Sequence, residues 1–565
     1  MNRSRGTAAT LLLLVAFVAG GRASGPQVIL QSTPAGMRAT VRNFLGIAVD
    51  SDGVSKCGFA TCMAAYHARN TATPGQRTML DAILNRTERQ KQRTLGYFTV
   101  HFDTTGPNAP SMLDALHHVL PGTSEEFVDS VLAIANSVYA YEVGTLGYQP
   151  PPSDGTVGGG PEYDIYIIDL GLEYGETTPE TQLDSKQDGG TYTSYLTIDN
   201  DFIFVSPDSN RGLPALRVTI AHEFHHAIQM GNYGYWSSEV YFHEITSTWM
   251  ETMMYPSITD YLNYLRASWG QFKNPSVPFT SNDLIMYSRA IWGIYLARTF
   301  GVDIMREIWE EIRNEGPLGA NATVLARHGT NFPSAFSQWN VWNYYTAGRS
   351  RPDRYYPNGV IYPGIAATAL DFSPMTTQET FDGVLPSLSS RYYEVSPSGD
   401  TAAIVVTNLD AASALSAIVP QRSYSLTLSN TPQNASYERV VAGCYYAMTY
   451  DDPNLWKSWV AAGGTSNASG MEEGVPFPNP FRNDGTSKLY IPAMGTSATL
   501  HIYDSAMNLV FERATQSGTM FGKPVFSWDG LTLRNQRASS GVYFFTLEYA
   551  GKTMQGKFVV LRKNP

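Results

Sequence analysis

Residues 216–230 read LRVTIAHEFHHAIQM, and the rest of the chain is organised around this run. It contains His222-Glu223-Phe224-His225-His226, an H-E-x-x-H motif in apolar, helix-compatible sequence. Residues four apart on an α-helix share a face, so His222 and His226 can aim two imidazoles at one point, as a zinc ion requires. Glu223 stands about 100° round the helix from His222, where a carboxylate reaches a water beside the metal. That pairing supplies an activated water with an adjacent general base. His225 lies off this face. Two histidines at this spacing also occur on solvated helices, so the pentapeptide needs a third ligand.

The metzincin continuation is absent, because Gln229 and Asn232 stand where its Gly and His would be. After a Gly/Tyr-rich connector (GNYGYW), Ser237-Ser238-Glu239 reads as a helix start, followed by HEITSTWMET over residues 243–252. Glu244 shares a face with Ser247, Thr248 and Glu251, so this second helix can turn both carboxylates inward. Glu239, His243 and Glu251 are also near enough in sequence to coordinate.

The two segments together resemble the gluzincin metallopeptidases. More narrowly, HEFHHAIQ followed by EITSTWMET is similar to secreted bacterial peptidases of the H-E-F-x-H-A-I-Q and E-x-x-[S/T]-x-W-M-E type. The resemblance implies Glu244 as the third zinc ligand. It leaves Glu251 to hold the outer N–H of a histidine ligand, although thermolysin-type enzymes use an Asp at the position of Thr248. Farther on, Tyr287 opens a Y-x-x-A-x-x-x-x-Y-L run resembling the gluzincin element whose Tyr hydroxyl supports the oxyanion. Arg289 and His328 are weaker candidates for that service.

At 565 residues the chain is long enough for three or four domains. A net charge of −11 with no basic block excludes nucleic acid as a partner. Arg3 and Arg5 precede AATLLLLVAFVAG and small residues around Ala23, which reads as a secretory signal over 1–23. No segment has the roughly 18 apolar residues of a membrane span. The expected product is secreted or associated with the cell surface. Cys57 and Cys62 are read as a local disulfide or as buried thiols, with Cys444 left over. A sharper alternative has the Cys57 thiolate capping the zinc in a latent precursor.

In chain order, residues 24–94 form a leader, a candidate prosegment. Its last helical stretch, QRTMLDAILNRTERQKQR, presents Arg86, Arg89, Lys91 and Arg93 as a cleavable basic junction or a solvated face. Residues 95–350 form the catalytic domain, a mixed sheet followed by a helical subdomain. Strands are expected in YFTVHFDTTG, YDIYIIDLG (163–171) and YLTIDNDFIFV (195–205). A helix opened by a Thr123–Glu126 capping box lies between the first two. The last strand is read as the edge strand, which in gluzincins pairs with extended substrate. The acidic stretch from Glu173 to Asp188 is read as a solvated loop; it could bind calcium but lacks regular ligand spacing. Residues 351–460 read as an accessory β-sandwich, 461–474 as a linker, and 475–565 as an Ig-like sandwich. The set N-P-F, I-Y-D, W-D-G, S-G-V-Y-F and K-F-V-V in this last unit resembles FlgD-like and type IX sorting modules, which implies contact with export machinery.

The sequence therefore predicts a multidomain α+β protein, and the resemblance implies a zinc endopeptidase acting on protein or peptide substrates. His222, His226 and Glu244 would be ligands, Glu223 and Tyr287 catalytic, and Glu251 in support. A zinc aminopeptidase is the nearest alternative, but its G-x-M-E-N motif is missing. A non-enzymatic surface or adhesion protein is the other, and predicts eroded ligands.

Overall fold

The computed structural model describes residues 34–47, 53–184, 186, 188–371, 378–396, 401–408, 421–431, 476 and most of 481–562. The signal-like start, Cys444 and the linker stretch 461–474 lie outside the described residues. Helices and several separate sheets make a mixed α+β protein with more than one core.

The alternating run after Tyr97 becomes β2 (Phe98–Phe102), buried at every position. It pairs antiparallel with β1 (Lys91–Leu95) and parallel with β5 (Tyr163–Ile167), while β3 (Met112–Leu113) and β4 (Val119–Leu120) form a small hairpin apart. β7 (Tyr192–Ile198) runs parallel to β5, and β6 (Gly175–Gln182) closes the sheet antiparallel to β7 in the order β1-β2-β5-β7-β6. β5 and β7 are buried at every position, with Asp164, Thr193, Ser194 and Thr197 among their aromatic and aliphatic residues.

The edge is thus β6, where a solvated acidic loop was expected, and β7 is interior. Segment 175–182, GETTPETQ, lacks the large apolar residues that mark a strand. Its threonines still suit a pleated surface, and tertiary packing buries it. Residues 199–205 turn away instead of extending, because the Asp199 carboxylate accepts from the backbone N–H of Leu170 (3.0 Å) and Phe202 (2.8 Å).

Helix α4 (Ser124–Tyr139) and helix α5 (Leu213–Ile228) pack against the sheet. Phe224 of α5 meets the rings of Phe98 and Tyr163 at 5.4 and 5.9 Å. The capping box expected at Thr123 does not form, since Thr123 Oγ1 donates to Leu120 O and accepts from Met112 N. Gly175 lets α5 approach the edge strand: a Cβ there would lie 2.8 Å from Thr219 and 3.1 Å from Glu223.

The leader folds as three helices, α1 (Pro34–Leu45), α2 (Phe59–Arg69) and α3 (Pro74–Leu84), around Val41, Cys62, Ala65, Leu80 and Ile83. α3 ends at Leu84, where Asn85 turns extended, so the basic run is not one helix. Its cations are paired to the body. Arg86 bonds Glu180 (2.6 Å) and pairs with Asp154 and Asp164, Arg89 bonds Asp103 at 3.0 Å, and Lys91 and Arg93 meet Glu125. Lys91 and its neighbours stay exposed, as a solvated face would, while Arg86 and Arg89 are half-buried against their acids.

Beyond α5 the chain is helical, through α6 (Val240–Met254), α7 (Tyr261–Arg266), a 3-10 segment (Leu284–Ala290), α8 (Ile291–Phe300), α9 (Asp303–Arg327) and α10 (Phe332–Tyr344). α9 kinks at Glu315 and Gly316, just before Pro317. Strands then take over. β8 (Thr368–Asp371) pairs with β10 (Tyr393–Ser396), and β11 (Thr401–Asn408), β12 (Gln421–Thr431) and β9 (Gln378–Pro386) make a three-stranded sheet. The last unit has a five-stranded and a three-stranded sheet whose Phe481, Leu489, Ile502, Trp528, Phe545 and Phe558 share one core. Among the described residues, no helix is long and apolar enough to cross a membrane.

Candidate metal centre

α5 and α6 lie side by side, and both are buried along nearly their whole length. Burying polar helices this thoroughly is costly unless every polar group finds a partner. His222 Nδ1 lies 2.7 Å from Glu251 Oε1, and His226 Nδ1 lies 2.8 Å from Gln229 Oε1. The Gln229 amide is oriented by its own contacts, because its Nε2 donates to the His243 carbonyl at 3.2 Å and to Thr246 and Ser247. A carboxylate and an amide oxygen only accept, so both histidines carry a proton on Nδ1.

That leaves both Nε2 lone pairs pointing inward. The two Nε2 atoms are 3.1 Å apart, and Glu244 Oε2 is 3.1 Å from His222 Nε2 and 3.4 Å from His226 Nε2. Three acceptors crowded together, with side chains showing no solvent exposure, repel unless positive charge sits among them. Glu244 Oε1 is also buried without a partner. Burial opposes positive charge on His222, but hydrogen bonds to Glu244 and Glu251 push it up to about 9. Burial would raise Glu244, but His226 and His222 hold it down at about 2. The donor set, two imidazoles and a carboxylate, fits a zinc-like cation. Cys57 Sγ joins them, its sulfur and the other three ligand atoms all lying within 4.8 Å of one another.

Glu223 borders this centre. Its Oε2 accepts from Thr177 Oγ1 at 2.7 Å, whereas Oε1 has no nitrogen or oxygen donor. Burial raises its carboxyl, with His222, His226, Thr177 and Cys57 partly offsetting the rise. Tyr287 stands over His222, ring centroids 6.4 Å apart, and burial, then Glu244, Cys57 and Glu223, push its phenol well up. It therefore keeps its proton.

The other candidates lie elsewhere. His225 Nδ1 meets Glu142 at 2.7 Å. Glu239 accepts from Leu318 N at 2.8 Å, and His243 Nδ1 contacts Gln229 at 3.1 Å. The Arg289 guanidinium is spent on Gln271, Phe279 O and Val277 O, so it is structural, and His328 pairs with Glu307. Cys57 and Cys62 are not bonded to each other; both are buried free thiols. The sequence reading missed Gln229 and Thr177. Gln229 had a local signal, standing three residues after His226 on the same helix face, whereas Thr177 comes from the unrecognised edge strand.

A model of a family of unknown function (DUF6055) matches residues 123–342, which hold every site residue above except Cys57. No curated protein matches the chain. Among solved structures, PorZ, described as an essential bacterial surface component of the type-IX secretion system of Porphyromonas gingivalis, is 21% identical over 17% of this chain and 13% of its own, with a TM-score of 0.13. CopC from Methylosinus trichosporium OB3b is 16% identical over 16% of this chain and 93% of its own, with a TM-score of 0.12. A chimeric titin Z1Z2 tandem is 8% identical over 35% of this chain and 95% of its own, with a TM-score of 0.11. The first of these matches spans about an eighth of PorZ, and overlaps this small decide nothing about fold or activity.

Proposed function

We propose that the chain is a secreted, gluzincin-like zinc endopeptidase with an accessory β-sandwich at 351–460 and an Ig-like sandwich of the sorting-module kind at 475–565. One observation carries the reading: hydrogen bonds from outside fix the His222 and His226 tautomers so that two lone pairs and the Glu244 carboxylate converge. His222, His226 and Glu244 would hold the ion. A bound zinc supplies Lewis acidity that makes water nucleophilic near neutral pH.

The protein's own groups do the rest. Glu223, anchored at Oε2 by Thr177, offers its unpartnered Oε1 to take the water's proton and later passes it to the leaving amine. Glu251 and Gln229 hold the imidazoles in place. Tyr287 donates its retained proton toward the developing oxyanion. β6 offers the edge on which an extended peptide would pair.

The test is metal content and casein hydrolysis on the full chain and on its Cys57→Ser and Glu223→Gln variants. About one zinc per chain is expected, retained in Glu223→Gln, while hydrolysis falls by roughly 10²–10⁴-fold. Absence of zinc overturns the reading, and so does bound zinc with hydrolysis in neither the full chain nor Cys57→Ser.

A further inference from the structure

The leader does not merely precede the body; it enters the site. Ser55 pairs in parallel with Glu173 at the start of β6. Ser55 N donates to Leu172 O (2.8 Å), Tyr174 N donates to Ser55 O (3.1 Å) and Gly58 N donates to Gly175 O (2.8 Å). Leu172 O and Tyr174 N lie on the approach to β6 and Gly175 O on its first residue, so the leader covers the start of the edge on which an extended peptide would pair.

Side chains on both flanks of this short strand are inserted as deeply. Lys56 is buried, its Nζ 2.8 Å from Asp260 and 3.1 Å from Glu251, the carboxylate that holds His222. Phe59 stacks on His226 with centroids 4.1 Å apart and planes 12° apart. Farther back, buried Arg38 and Arg42 pair with Glu176 and Glu173. Between Lys56 and Phe59, Cys57 Sγ meets His222, His226 and Glu244, and the Phe59 backbone N–H donates to that sulfur at 3.3 Å. Gly58 allows the approach. A Cβ there would lie 2.6 Å from Glu176 Cβ, a backbone-anchored atom that does not swing aside.

We propose that leader residues 55–59 are an inhibitory cap: Cys57 Sγ is the fourth ligand of the ion held by His222, His226 and Glu244, and Ser55–Gly58 covers the start of the substrate edge at β6. This rests on the zinc reading above. Ligation releases the thiol proton to solvent and needs no oxidant. The cap excludes both reactants at once, since sulfur fills the position a water would take and the leader backbone fills the place of the peptide. Withdrawal of the leader restores both.

X-ray absorption at the zinc edge of the full chain tests this, with casein hydrolysis read alongside. The wild type and the control Cys62→Ser should show a sulfur scatterer at about 2.3 Å. Cys62 contacts Glu176 and Thr178, away from the centre. Cys57→Ser should lose that scatterer, keep its zinc and hydrolyse at least tenfold faster. Gly58→Ala, which touches no ligand, should push the strand off the edge and produce the same two changes, and it carries the test if Cys57→Ser misfolds. Zinc bound in the wild type with only nitrogen and oxygen neighbours overturns the cap and leaves the zinc reading standing. A sulfur scatterer that persists in Cys57→Ser, or is lost with no gain in hydrolysis, also overturns the cap. A chain that takes up no zinc removes the reading beneath it.

Discussion

Helix α5 carries two buried histidine–carboxylate pairs a single turn apart, and they are chemically unlike. His222 gives its Nδ1 proton to Glu251 and turns Nε2 on His226 and Glu244. His225 faces Glu142 at the same 2.7 Å, yet its Nε2 ends without a partner beside Tyr148 and Trp309. Burial lowers His225 well below and raises Glu142 well above their ordinary values, so that pair is neutral with its proton on the carboxyl. At His222 the neighbouring carboxylates outweigh burial and demand positive charge. A buried histidine with an acid beside it is therefore not yet a metal site. Several inward lone pairs converge only at His222, among the two pairs.

The sharpest way to break this comparison is to exchange its halves. His226→Ala should reduce bound zinc from about one per chain to a trace, by elemental analysis, whereas His225→Phe should keep the full complement. Zinc lost equally from both would dissolve the distinction. A gentler contrast uses the supporting acids. Glu251→Gln should weaken zinc by roughly 10–100-fold in a competitive chelator titration. Glu142→Leu should leave affinity unchanged and lower unfolding stability by about 1–3 kcal/mol through the unpaired His225.

A pH-dependent effect lies at His243, which burial holds neutral down to about 3. An unfolded chain would protonate it near 6.5, so the unfolded state binds the extra proton in between. Stability is unaffected above pH 6.5 and falls as pH descends from there, by at most ~1.4 kcal/mol per unit, levelling near pH 3. His243→Phe should flatten that slope in denaturant titrations at pH 5 and 7, and an unchanged slope would assign it to other groups.

Short-range features were legible in advance. The spacing of His222, Glu223 and His226 places them by helical geometry alone, and the same holds for Glu244 and Glu251 on the second helix. β2, β5 and the C-terminal strands declared themselves by alternation or by apolar runs. β6 did not, because GETTPETQ is strand only by virtue of what covers it: α5 on one face and the leader along its edge. Reading it as a loop moved the expected edge to 195–205 and hid Thr177.

By itself the sequence determined the helix-borne donors, since a period of 3.6 residues fixes which side chains share a face. It also determined a mixed α+β chain with β-rich C-terminal units. Only the tertiary structure decided which outer contacts fix the imidazole tautomers, and that Cys57, 165 residues before His222, lies beside His222, His226 and Glu244. Local periodicity reports neighbours along one element, whereas a site assembled from a leader, an edge strand and two helices depends on packing between distant segments.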